Sequence, residues 1–301
     1  MKIAITGASG FLGRALVAAL HERGDTPILF ARTATAERNV VRWQPSAGDV
    51  NREDLARVGS IDAFVHLAGA GIADKRWTTS RKKEILDSRT EGTALLARTI
   101  TGLETPPSVV LSGSAIGFYG SRGDEILTEA SSRGEGFLAD VCEAWESAAL
   151  PVHEAGITLT LLRTGIVMGS SGGALKKQLP LFRAGVGGRL GSGRQFLSPI
   201  SLQDEIQAML FLLDNPIAGP VNLVSPEPIT NRTFTAALGA AVHRPSVAAV
   251  PRLALDIALG SELVSEALLA SQRVVPSVLE TRGFIFQHRT IEQVLTAALR
   301  N

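Results

Sequence analysis

Near the start of the chain, Thr6-Gly7-Ala8-Ser9-Gly10-Phe11-Leu12-Gly13 spells T-G-x-x-G-x-x-G. Set between a strand and a helix, this spacing aims free backbone N–H groups and the positive end of the helix at a pyrophosphate. Gly7 permits the tight turn, Gly10 lets a ligand approach the backbone, and Gly13 lets helix and strand pack closely. Ser9, Phe11 and Leu12 fill the same turn. The simpler reading is a plain strand-to-helix turn, since the chain has 30 glycines. Position separates the two, because the triplet directly follows the first apolar run and opens the first amphipathic one.

Two arginines add to this. The second apolar run ends Phe30-Ala31-Arg32, with no acid before Glu37. A carboxylate there would take a ribose 2′-hydroxyl, whereas an arginine pairs with a 2′-phosphate. Such bonds are worth about 1.5–3 kcal/mol each, a roughly tenfold to hundredfold preference for NADP(H) over NAD(H). Arg89 falls on a helical face running Ile85, Arg89, Gly92, Leu96 and Ile100. A guanidinium in an apolar stripe needs a partner. Cofactor oxygens would serve; so would a snorkelling pose or a carboxylate, and both readings stay open.

These residues require strands and helices in alternation. Lys2–Thr6, Thr26–Ala31, Asp62–Leu67, Ser108–Ser112 and Ile157–Arg163 read as strands covered on both faces. Phe11–Arg23 and the stretch from Ser80 to Thr101 read as helices. The pattern predicts an α/β Rossmann domain, a doubly wound parallel sheet, over 1–168. A smaller α-rich C-terminal substrate lobe follows over 169–301, with helices near 231–243, 251–268 and 276–282 and a last one at Ile291–Arg300. Pro220–Val224 is a strand expected to return to the main sheet. Gly169–Gly193, rich in Gly, Ser and basic residues, reads as a long loop.

Composition excludes several classes. A net charge of +1 and 5 % aromatic residues give no footprint for nucleic acid. No apolar run reaches the roughly 18 residues of a membrane span. The N-terminus lacks a signal-peptide pattern, and the single cysteine, Cys142, forms no internal disulfide. A cytoplasmic protein without a structural metal is the expectation. Cys142 reads as a buried thiol and His66 as a satisfied core histidine.

The chain resembles the extended and atypical short-chain dehydrogenase/reductases, the NAD(P)-dependent epimerase/dehydratase group. Within it, the chain is similar to the branch labelled nucleoside-diphosphate-sugar epimerase-like, of unknown substrate. The resemblance rests on the glycine turn and on His66-Leu67-Ala68-Gly69, Ala73-Asp74-Lys75-Arg76-Trp77 and Ser88-Arg89. It rests also on Ser112-Gly113-Ser114-Ala115-Ile116-Gly117-Phe118-Tyr119-Gly120, Leu162–Val167, Gly191-Ser192-Gly193-Arg194-Gln195 and His243-Arg244-Pro245. It implies that Leu67, Ala68 and Gly69 line the adenosine side of the cofactor. Ser112 and Ser114 would lie beneath the nicotinamide, Gly165 and Ile166 would touch its ring, and Lys75 and Arg76 would hold a phosphate or a substrate acid. It also implies a homodimer formed through two helices.

The sequence departs from that family in its catalytic residues. The family pairs a tyrosine with a lysine four residues on. Here the single tyrosine is Tyr119, Gly123 follows it at that distance, and no lysine lies between Lys83 and Lys176. On the helix where the pair belongs stand Phe137 with Val141 and Leu138 with Cys142. Ser114 and Tyr119 are the remaining catalytic candidates, with Asp74, Asp140 and Glu143 as alternative acids. Two functions follow. One is an NADP(H)-dependent oxidoreductase or epimerase-like enzyme acting on an unknown small carbonyl or sugar-type substrate. The other is a catalytically silent sensor of the cofactor.

Overall fold

The computed structural model describes residues 1–33 and 37–300. Its frame is a sheet of eight strands. In chain order the first six are β1 (Lys2–Thr6), β2 (Thr26–Ala31), β3 (Val40–Gln44), β4 (Asp49–Val50), β5 (Ala63–His66) and β6 (Val109–Ala115). A short β7 (Ile126–Leu127) lies outside the sheet and pairs with Arg273–Val274. β8 (Thr158–Thr164) and the strand Gly219–Leu223 complete the sheet. Across it the order is Gly219–Leu223, β8, β6, β5, β1, β2, β3, β4, with only β4 antiparallel. The strand order switches sides between the parallel neighbours β1 and β5, which places a crevice at their carboxyl ends, where open α/β sheets bind ligands.

Helices cover both faces. α1 (Phe11–Arg23) buries Leu16 and Leu20 against Ile3, Ile5 and Val65 on one face. On the other face, α3 (Thr79–Thr101) and α4 (Phe137–Glu154) lie against Ala4, Phe64 and Val110. α2 (Arg52–Val58) is capped by the Asn51 side chain. The first-face core also takes in α6 (Leu202–Asp214) together with Phe284 and Phe286. The chain therefore crosses back from the second lobe to finish the layer it began.

The second lobe packs α5 (Gly173–Arg183), α7 (Asn231–Ala241) and Ile291–Arg300 around Leu175, Leu179, Phe234 and Val294. Gly169–Gly193 is thus no long loop. Leu175, Leu179 and Phe182 recur at helical spacing and are buried, and Gly188–Leu190 adds a strand. The glycines that suggested a loop answer instead to Phe11, whose ring sits 2.6 Å from where a Cβ on Gly169 would be and 2.4 Å from one on Gly172. Nor is 251–268 one helix. α8 (Arg252–Leu259) stops at Gly260, whose φ of +94° suits glycine, and a short wider turn follows. β3 and α6 are elements that the sequence patterns did not mark.

Leu175→Ala should lower stability by about 2–4 kcal/mol, read as an earlier urea midpoint. A loosely structured 169–193 segment would give almost no change.

Candidate functional site

The glycine turn has the geometry its spacing foretells. Gly7 has φ +72°, and a Cβ there would stand 2.8 Å from the backbone carbon of Leu67. A Cβ on Gly13 would meet the Gly7 carbonyl oxygen at 2.2 Å. α1 begins at Gly10 with no side-chain cap and no acid in its first turn. Its first N–H groups and its positive end are left for an anion. Ser9 is exposed on the turn and its carbonyl accepts from Arg14. Phe11 and Leu12 turn inward, the Phe11 ring against the second lobe.

What fixes this turn is a buried chain of hydrogen bonds from β1 to α3. Thr6 Oγ1 accepts from the N–H groups of Leu67 (3.2 Å) and Ala68 (3.3 Å). Its own proton is therefore donated to His66 Nδ1, 2.6 Å away. That assigns the tautomer: His66 Nε2–H donates to Thr93 Oγ1 (2.9 Å), which donates to the Arg89 carbonyl (2.6 Å). Burial takes His66 from its ordinary 6.5 down to about 4, with Arg89 adding to the effect, so the ring stays neutral. His66 is the satisfied core histidine that its apolar strand predicts.

Arg89 lies beside this network. Its Nη1 donates to the carbonyls of Ala70 (2.9 Å) and Ile85 (3.1 Å), its guanidinium lies 5.0 Å from the Trp145 ring centroid, and Gly69 packs on it. Among the described residues it forms no ion pair with a carboxylate, and its hydrogen-bond partners are the two backbone carbonyls. Arg32 stands exposed at the end of β2, and Lys75 is exposed on the turn between β5 and α3. The neighbours of Lys75 reach the other lobe: Lys177 Nζ bonds Ala73 O (2.7 Å) and Asp74 (3.0 Å), and Arg76 donates to Ile257 O (3.4 Å).

At the end of β8, a Cβ on Gly165 would lie 2.4 Å from Ser198 O, and Ile166 N–H donates to that same oxygen. Thr164 donates to Glu205 Oε1 (2.9 Å), on the first turn of α6. Among the described residues Glu205 Oε2, Ser112 Oγ and Trp145 Nε1 are buried without a hydrogen-bond partner. Burial raises the Glu205 carboxyl from 4.5 to about 8.

The two catalytic candidates are joined, but through residues that sequence reasoning passed over. Ser114 Oγ donates to Glu146 Oε1 (2.6 Å) on α4. Arg163, on β8, grips both oxygens of Glu146 at 2.9 Å and donates to Tyr119 Oη (3.1 Å). Tyr119 donates to Asn222 Oδ1 (2.7 Å). Tyr119 is wholly buried with its hydroxyl engaged in both directions, and burial pushes its pKa up. The hydroxyl is thus held between Arg163 and Asn222. Cys142 is likewise buried, its thiol pushed up to about 12. Asp140 and Glu143 pair with Arg133 on the surface. A signal for Glu146 and Arg163 did exist, since a charge inside the apolar strand Leu161-Leu162-Arg163 requires a buried partner.

A cavity of about 570 Å³ opens between Gly123–Asp124, just before β7, and the turn Gly191–Phe196 of the second lobe. Arg194, Gln195, Arg252 and Ser271 contribute to its walls.

Comparison with known proteins agrees with this architecture. The sequence profile of the NAD dependent epimerase/dehydratase family matches residues 3–223, and a domain of unknown function (DUF1731) matches 250–298. The "Epimerase family protein Mb2239" of Mycobacterium bovis is 41 % identical over 294 residues, spanning 97 % of this chain and 96 % of the relative. A crystal structure of human epimerase family protein SDR39U1 with NADPH superposes with a TM-score of 0.90 at 30 % identity, covering 100 % of both chains. A nucleoside-diphosphate sugar epimerase from Corynebacterium glutamicum gives 0.80 at 33 % identity, covering 99 % of this chain and 58 % of the other.

Two buried groups give stability opposite pH slopes. The His66 contribution is complete above 6.5 and is lost as pH falls toward 4, because the unfolded histidine binds a proton that the folded one refuses. The Glu205 contribution is complete below 4.5 and is lost as pH rises toward 8, because only the folded carboxyl keeps its proton there. Glu205→Gln should therefore stabilise increasingly with pH, by on the order of 3 kcal/mol near pH 8. A thermal-melting series across pH checks this, and a pH-independent difference would refute it.

Proposed function

Since the chain belongs to the NAD dependent epimerase/dehydratase family, we propose that it binds NADP(H) and is an oxidoreductase or epimerase-like enzyme. The observation that carries the reading is the uncapped, acid-free start of α1 behind Gly7, Gly10 and Gly13. It fits a pyrophosphate in a crevice where Ala68, Gly69 and Arg89 stand alongside. Arg32, at the end of β2, is the residue for the 2′-phosphate. The NADPH in the human relative's structure supports the same choice. When bound, the nicotinamide supplies hydride exchange. The chain's own residues bind it, orient it and exclude water. Ser112 and Ser114 approach from the end of β6, and Gly165 and Ile166 from beyond β8. The substrate is a small carbonyl or sugar-type molecule, and the 570 Å³ cavity with Arg194 and Gln195 is the space offered to it. A cytoplasmic homodimer is part of this reading.

One observation favours the silent sensor as the second reading. The hydroxyl of Tyr119 is sealed away and fully hydrogen-bonded, so the only phenol in the chain is withheld from proton transfer. Turnover of any carbonyl in a panel, followed through NADPH consumption, excludes the sensor.

Calorimetric titration of cofactor-stripped protein should show NADPH binding about tenfold or more tighter than NADH, with the gap largely erased in Arg32→Ala. Equal affinities would remove the role of Arg32. Binding of neither cofactor would remove the proposal.

A further inference from the structure

The polar chain running from Ser114 to Asn222 has a direction at every link. Tyr119 gives its only proton to Asn222 Oδ1. Arg163 has only protons to give, and it gives them to Tyr119 Oη and to both oxygens of Glu146. Its guanidinium is clamped 3.5 Å from the Phe118 ring centroid, which fixes the fork in place. The fork occupies both carboxylate oxygens of Glu146, and a carboxylate paired with a guanidinium in this way can only accept. Ser114 must therefore point its hydroxyl hydrogen at Glu146 Oε1, over the 2.6 Å that separates them. All that Ser114 has left for a ligand is the lone pairs of Oγ.

We infer that Ser114 is held as a hydrogen-bond acceptor, with Glu146 and Arg163 as its positioning residues, so that the site selects a ligand hydroxyl over a carbonyl. The inference rests on the cofactor reading above and narrows the substrate class to the alcohol form. Ser114 sits at the carboxyl end of β6, in register with Arg163 of β8, with Ala115 beyond it facing Thr164. That is the strand end which the ligand crevice adjoins. A carbonyl brought to Ser114 would set lone pair against lone pair. A hydroxyl can donate and complete the chain. Glu146 and Arg163 do not touch the ligand; they decide which way Ser114 points.

The test uses NADP⁺-loaded protein and a shape-matched pair of probes, cyclohexanol and cyclohexanone, with affinities read by saturation-transfer NMR. The alcohol should bind roughly fivefold tighter, the worth of one neutral hydrogen bond. The double replacement Glu146→Leu/Arg163→Met removes both charges together, the form in which a buried pair is best tolerated. It frees the Ser114 hydrogen, so the alcohol-to-ketone ratio should fall to about one while NADPH binding persists. Ser114→Ala should also bring the ratio to about one, and it disturbs no charge. Equal binding of the probes, ketone preference, binding of neither probe, or a preference that survives in either altered protein overturns the inference. If NADPH still binds in such a case, the cofactor reading stands alone. If the unaltered protein does not bind NADPH, both fall.

Discussion

The geometry of the crevice depends on one buried proton, the one Thr6 gives to His66. Because that proton goes to the ring, the Thr6 oxygen is free to accept the N–H groups of Leu67 and Ala68. The turn after β5 is thereby drawn against the turn after β1. The contact is so close that position 7 has no room for a Cβ. The far side of the same ring reaches α3 through Thr93. A neutral histidine thus ties two strands and a helix together at the edge of the crevice, and its burial keeps it neutral. A charged ring would lose its acceptor nitrogen and with it the Thr6 proton.

The two halves of the fold differ in how openly the sequence displays them. β1, α1 and β2 were legible to the residue, because continuous apolar runs, a helical repeat and a glycine triplet are all local signals. The turn's readiness for a phosphate was legible for the same reason. α5 was obscured because its apolar positions are diluted by lysines and preceded by glycines, and those glycines answer to the distant Phe11 ring. α6 was missed although its apolar face is continuous, since nothing local says that a helix beyond residue 200 completes the first-face core. In the candidate site, Ser114 and Tyr119 were visible as residue types. The partners that decide their chemistry were not. Glu146 and Arg163 meet Ser114 only because β6, β8 and α4 are assembled around them. Long-range pairing of this kind leaves a single local trace, a charge in an apolar run.

The structure also keeps its polar interior of two kinds. The chain from Ser114 to Asn222 is hydrogen-bonded at every link, and it stiffens the junction between β6, β8 and the edge strand. Against it stand Ser112 Oγ, Trp145 Nε1 and Glu205 Oε2, buried without partners. Unpaired buried groups cost free energy. These three lie on β6, α4 and α6, and further buried unpaired atoms are spread through the molecule, among them Arg42 Nε, Glu129 Oε2 and Arg273 Nε.

The turn between β5 and α3 is fastened to the second lobe by Lys177 on Ala73 and Asp74 and by Arg76 on Ile257, and the first turn of α3 by Lys82 on Glu262. The Lys177–Asp74 pair is more than half exposed on both sides. Exposed pairs contribute at most about 1 kcal/mol each and fade with added salt. The fastening is thus a clasp of thermal strength, in contrast to the rigid floor of the crevice beneath it. Exchange of whatever lies under that clasp would keep time with ionic strength, quickening in brine and slowing in dilute buffer, while the floor holds its shape throughout.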